Sequence, residues 1–152
     1  MDNSLKQRIQ EDTAAAMRAK DKQRLGVLRL VGAAIKQQEV DTRATLDDAA
    51  LIAILEKMLK QRRDSQEQFQ KAGRSDLADQ EAFEIAVISE YMPTPFTPAE
   101  IDALLAEAIA QSGAQSLKDM GKVMSLLKTR LQGRADMGAV SAKVKEKLAN
   151  TA

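Results

Sequence analysis

The sequence predicts an all-α protein: an N-terminal helical unit, a proline-rich hinge and a C-terminal unit of three helices. Three observations predict it. Apolar residues recur at three- and four-residue spacing along nearly the whole chain. No stretch alternates with period two long enough to make a strand, and aromatic residues are only 3% of the total. The prolines fall only at Pro93, Pro95 and Pro98, three within six residues. Together they cannot continue a helix, and each biases its predecessor toward extended backbone. The expected divisions are therefore 1–92, 93–98 and 99–152.

The elements follow in order. Ser4 to Gln7 reads as a capping-box start, with Leu5, Ile9, Thr13 and Ala16 on one face, and the helix should run to about Lys20. Asp21 caps a second helix that buries Leu25, Leu28, Val31 and Ile35 and fades near Val40. Asp47 or Asp48 opens a third, with Leu51, Leu55, Met58 and Leu59 inward. It turns very polar after Lys60 and stops at Gly73. Ser75 is expected to cap a fourth helix, whose buried stripe is Leu77, Ile85, Ile88 and Met92. After the prolines, Thr97 at N-cap, Pro98 at N1 and Glu100 at N3 agree on a fresh start. Ile101, Leu104, Leu105 and Ile109 form that helix's apolar face, and Gly113 ends it. Ser116 is expected to cap the next helix, burying Leu117, Met120, Met124, Leu127 and Leu131. Gly133 closes it in a left-handed conformation, Asp136 caps the last helix, and Val140, Val144 and Leu148 face inward.

Composition removes most catalytic classes. The chain contains no cysteine and no histidine. Disulfides, thiolate metal sites and every Ser-His or Cys-His nucleophile pair are thereby excluded. The glycines are isolated, and Gly121-Lys122 lacks the spacing of a phosphate loop. The acidic pairs Asp47/Asp48 and Glu81/Glu84 read as helix-start and exposed-face charges. Glu39 with Asp41 lacks a third ligand for a hard cation. Ser65 and Ser141 have no histidine to activate them. The methionines, Met120, Met124 and Met137 among them, read as core filler. No catalytic residue, cofactor site or metal site is therefore expected. Met1 to Ser4 shows no signal pattern, and no apolar run approaches the roughly 20 residues of a membrane span. A soluble, cytoplasmic chain is the expectation, with a monomer favoured.

The charges are unevenly spread. Residues 46–92 carry six basic and ten acidic side chains, whereas 113–152 carry eight basic and three acidic, a surplus of five. That asymmetry is one a nucleic-acid-contacting module shows. Arg134 stands out as a bare guanidinium on a tight corner, with Lys118, Lys122, Lys128 and Arg130 before it and Lys143, Lys145 and Lys147 after. Arg62-Arg63 forms a second basic pair, best read as an exposed face laced by pairs such as Glu56–Lys60 and Glu67–Lys71.

The C-terminal block resembles the helical tail of the GatB subunit of tRNA-dependent amidotransferases and the stand-alone YqeY proteins that share it. Gly121-Lys122-Val123-Met124 and Gln132 through Ser141 carry the likeness most specifically. Arg62 to Ser65, Lys71 to Arg74, Asp76 to Ala78 and Glu90 to Pro93 extend it over nearly the whole chain. The resemblance implies a tRNA-binding or amidotransferase-associated protein, with tRNA and an aminoacyl-tRNA-related enzyme as partners. The family's label of carbon–nitrogen ligase with glutamine as amido donor belongs, on this reading, to the larger enzyme. No segment here matches its catalytic cradle.

Lys122, Lys128, Arg130, Arg134 and Lys143 are expected to form the core of a tRNA-backbone contact, since folded RNA is held largely through shape, phosphates and 2′-hydroxyls. From Ala99 onward no aromatic residue offers a base-stacking platform. The alternative is a protein-interaction module with no nucleic-acid role.

Overall fold

A computed structural model describes residues 4–150 of the chain. The reading of a leaderless start at Met1–Asn3 lies outside the described residues. Among those described there are seven α-helices and no strand. They are α1 (Leu5–Arg18), α2 (Lys22–Thr42), α3 (Asp48–Lys71), α4 (Ser75–Ser89), α5 (Pro98–Ser112), α6 (Met120–Leu131) and α7 (Met137–Ala149). A 3-10 turn, Leu117–Asp119, precedes α6. The chain divides into two compact units, Met1–Met92 and Pro93–Ala152.

Most helix starts lie where side-chain acceptors meet orphan N–H groups. Ser4 accepts from the N–H of Gln7, Asp21 from Arg24, Asp47 from Ala50 and Asp136 from Gly138. At α5 the capping box is complete: Thr97 Oγ accepts from Glu100 N–H, and Glu100 accepts from Thr97 N–H at 3.0 Å. No helix crosses Glu90 to Thr97. Gly113 and Gly133 take the left-handed conformation at φ 69° and 79°.

Two starts differ from the expectation. Ser75 is the first residue of α4 rather than its cap, and Arg74 at N-cap makes no side-chain capping bond. Arg74 instead grips Asp76 through Nε and Nη2. Ser116 opens only the 3-10 turn, because Asp119 Oδ2 captures the Gln115 N–H and bends the chain there. Leu117, expected inside, is consequently 45% exposed.

The first unit buries Leu5, Ile9, Val27, Leu28, Val31, Ile35, Leu51, Leu55, Leu59, Val87 and Ile88 in one cluster. In α4 the buried residues are Ala78, Val87 and Ile88, while Leu77 and Ile85, and Met92 beyond the helix end, are only half-buried. The second unit buries Leu105, Val123, Leu127, Leu131, Val140, Val144 and Leu148. Phe96, Met120, Met124 and Met137 pack against that cluster, so these methionines do fill core. Truncating any of the fully buried leucines to alanine should cost about 2–5 kcal/mol.

Candidate nucleic-acid interface

The residues expected to meet RNA all lie in the second unit, on α6, on α7 and in the turn between them. Leu127, Leu131, Val140 and Val144 bring the apolar stripes of the two helices together. This leaves Lys122, Lys128 and Arg130 on the outside of α6. They do not share one line on it. Two residues apart on an α-helix means about 160° around its axis once the full turn is folded back, so Lys128 and Arg130 sit on opposite flanks, with Lys122 between them.

The flanks have different neighbours. Arg130 Nη1 meets Glu107 of α5 at 3.1 Å, and Lys143 Nζ of α7 meets Asp102 of α5 at 3.3 Å. Helix α5, the acidic element of this unit, thus holds two of the five expected cations. Both pairs are about half exposed, and such exposed pairs stabilise a fold by about 0–1 kcal/mol. The Lys128 side chain makes no ion pair or hydrogen bond with the described residues. Lys122 faces solvent near Asp119. The Gln115 N–H holds that carboxyl below the usual carboxylate range, and Lys122 and Lys118 help.

Arg134 departs most from its expectation of a bare corner guanidinium. Its Nε donates to the Thr94 carbonyl at 2.8 Å. Its guanidinium centre lies 3.6 Å from the centroid of the Phe96 ring. Its own carbonyl accepts the Phe96 N–H at 2.8 Å, and its N–H donates to the Leu131 carbonyl at 2.9 Å. The physical reason is the backbone pairing itself. Once Phe96 is hydrogen-bonded across to residue 134, a planar cation is delivered onto the neighbouring ring face, where the quadrupole attracts it. Arg134 therefore straps the proline segment to the α6–α7 turn. The Nη groups donate no hydrogen bond to the described residues, and no carboxylate lies within ion-pair distance of them. Sequence reasoning missed Phe96, Thr94, Asp102 and Glu107, which lie 23–41 positions from their partners.

The first unit carries its own polar cluster. Tyr91 is 3% exposed. Its hydroxyl donates to Asp12 Oδ2 at 2.6 Å, Arg24 pairs with Glu90 at 2.6 Å, and Arg8 stacks on the Tyr91 ring at 5.1 Å. Burial, and then the bond to Asp12, push the Tyr91 phenol well above its ordinary value.

Arg62 and Glu84 are also not the exposed-face charges expected. They face each other across α3 and α4 with side chains 16% and 13% exposed, 3.9 Å apart. Burial pushes the Glu84 carboxyl up, against the pull of Arg62. Glu67–Lys71 pairs as expected at 3.0 Å, and Glu56–Lys60 shows no pair. Among the described residues no cluster of three or more carboxylates is placed to hold a metal, and no helix is long and apolar enough to cross a membrane.

Fold and site define an all-helical protein in which residues 113–152 carry a surplus of five positive charges. The chain belongs to the YqeY family: the family's profile, described as Yqey-like protein, matches residues 6–148. Relatives bearing the name "Altered inheritance of mitochondria protein 41, mitochondrial" match much of its length. The one from Pyrenophora tritici-repentis is 31% identical, covering 95% of this chain and 81% of the relative. That from Lachancea thermotolerans is 34% identical over 90% and 76%, and that from Eremothecium gossypii 38% over 72% and 63%. These names correct the expectation of a cytoplasmic protein, since the relatives are named as mitochondrial.

Proposed function

We propose that this chain is a non-catalytic tRNA-binding protein, associated with tRNA amidation, that grips the RNA backbone with its C-terminal unit. The observation that carries this reading is Arg134. Its guanidinium is fixed in orientation by Thr94 and Phe96, while its Nη edge stays unpaired. A guanidinium held this way loses little further entropy on forking two phosphate oxygens. Lys122 and Lys128 add exposed charge on α6. The half-exposed pairs of Arg130 and Lys143 are weak enough for phosphates to replace Glu107 and Asp102. The ligase label of the larger enzyme is not part of the proposal, because the sequence holds no histidine or cysteine and no phosphate loop.

The test is tRNA affinity across a salt series, with wild type beside a Lys122→Ala, Lys128→Ala double variant. Each phosphate that the variant no longer neutralises should flatten the log–log slope by about 0.7–0.9, and several tRNAs should weaken alike. Equal affinities and equal slopes would transfer the reading to a protein-interaction module.

A further inference from the structure

Helix α2 presents a face that the first unit's core does not use. Its buried residues are Val27, Leu28, Val31 and Ile35. On the far side lie Gly26, Leu30, Ala33, Gln37 and Val40, all exposed. Their spacing of four, three, four and three is that of a coiled-coil seam. Leu30 is 47% exposed and Val40 63%. Beside this seam runs a row of cations: Lys22, Arg29 and Lys36 on the helix, then Arg43 at its C-cap. They recur every seven residues, about 10.5 Å apart along the axis. All four are exposed, and none forms an ion pair with a described residue. The acids nearest in sequence have other partners: Asp21 accepts from the Arg24 N–H, Glu39 pairs with Lys6 at 3.0 Å, and Asp41 accepts from Gln37.

Two further features coincide here. Arg29 and Lys36 also line an open trough of about 530 Å³ between α1 and α2, with Gly32 among its walls. Gly26 and Gly32 each sit mid-helix, where glycine costs about 0.5–1 kcal/mol relative to alanine. A Cβ added at either would meet nothing within 4 Å. The chain's own packing therefore gives no reason for these glycines, whereas the close approach of another backbone would.

We propose that the outer face of α2 docks an amphipathic α-helix of a partner protein, one with an apolar seam flanked by a row of acidic residues. The partner's seam covers Leu30, Ala33 and Val40. Its carboxylates meet Lys22, Arg29, Lys36 and Arg43, and the trough admits the side chains nearest α1. RNA would satisfy the cations but leave Leu30 and Val40 in water. A membrane surface needs a wider apolar face than two large side chains provide. The surface lies in the first unit, so the proposal is independent of the tRNA reading.

The experiment uses the full chain and two labelled helical peptides of about three heptads, both with leucine at a and d. One carries glutamate at e and g, the other lysine. Fluorescence anisotropy should give an affinity for the glutamate peptide at least about tenfold above that for the lysine peptide, roughly 1.4 kcal/mol. An Arg29→Glu, Lys36→Glu double variant should reverse the preference. A Leu30→Gln, Val40→Gln variant, with its fold checked by circular dichroism, should lose both peptides. Failure of the wild type to bind the glutamate peptide, or equal binding of the two, overturns the proposal. So does loss of tRNA or anionic-vesicle binding, in place of peptide binding, in the charge-reversed variant.

Discussion

Both units are anchored by arginines, and they differ in whether a carboxylate is among the anchors. In the first unit Arg24 spends its charge on Glu90 and reaches the Tyr91 hydroxyl, while Arg8 donates to the Glu90 carbonyl and covers the Tyr91 ring. In the second, Arg134 binds a carbonyl and a phenyl ring, neither of which carries a charge. Glu100 feels the Arg134 charge only weakly, and from beyond ion-pair distance. The first arrangement gives Arg24 a carboxylate within the fold, whereas Arg8, like Arg134, has a carbonyl and a ring as partners and no ion pair. The second holds a cation rigid and leaves it without an ion pair. An arginine can thus be essential to packing and still be available to a ligand, provided that its anchors are neutral.

The largest effect expected is on the first arrangement. Tyr91→Ala removes a buried ring, strands Asp12 and takes the ring from under Arg8. Urea unfolding should show a loss of about 3–5 kcal/mol, the usual range for a buried aromatic truncated to alanine. A loss below about 1 kcal/mol would mean that the network only decorates the fold.

Next comes the strap. Arg134→Ala removes a charge-assisted hydrogen bond and a cation–π interaction, about 1–3 kcal/mol together. An exposed, unanchored arginine would cost within about 0.5 kcal/mol. Arg134→Lys keeps the charge but loses the Nε bond, so it should weaken the fold nearly as much while retaining more RNA affinity than alanine. Hydrogen exchange of the α6–α7 turn amides, read beside tRNA affinity, separates the two roles.

The smallest effect sharpens the contrast through pH. The native chain holds the Tyr91 proton more tightly than the unfolded chain, whose phenol ionises near pH 10. Its stabilising contribution is therefore complete below about pH 10 and is lost as pH rises toward the raised native value. Urea midpoints of the wild type should fall more steeply between about pH 9 and pH 11 than those of Tyr91→Phe. Parallel curves would show that the phenol is not held.

Much of the fold was legible because helix starts are local. Ser4, Asp21, Asp47, Thr97 and Asp136 each lie within three residues of the N–H they satisfy. Ser75 and Ser116 misled for the same local reason: a neighbouring side chain, Arg74 or Asp119, reorganised the start. The candidate interface was legible only as a set of cations. Whether each is exposed, paired with α5 or laid on Phe96 depends on partners 23–41 residues away, which no spacing rule encodes. The inward tilt of Arg62 and Glu84 escaped for a related reason, since helical periodicity marks apolar stripes but not a charged pair that joins one.

Only Ala72, Gly73 and Arg74 separate α3 from α4, and Gly73 adopts φ 71°. Closing so short a loop costs little chain entropy. A linker of the same length, Ala19 to Asp21, joins α1 to α2, so the α1–α2 and α3–α4 hairpins should both assemble early during folding. The core of the first unit would then be completed when the two hairpins dock. A ribosome would have to release residues as far as the end of α4 before the second hairpin could form, so the first hairpin must wait for a partner made after it.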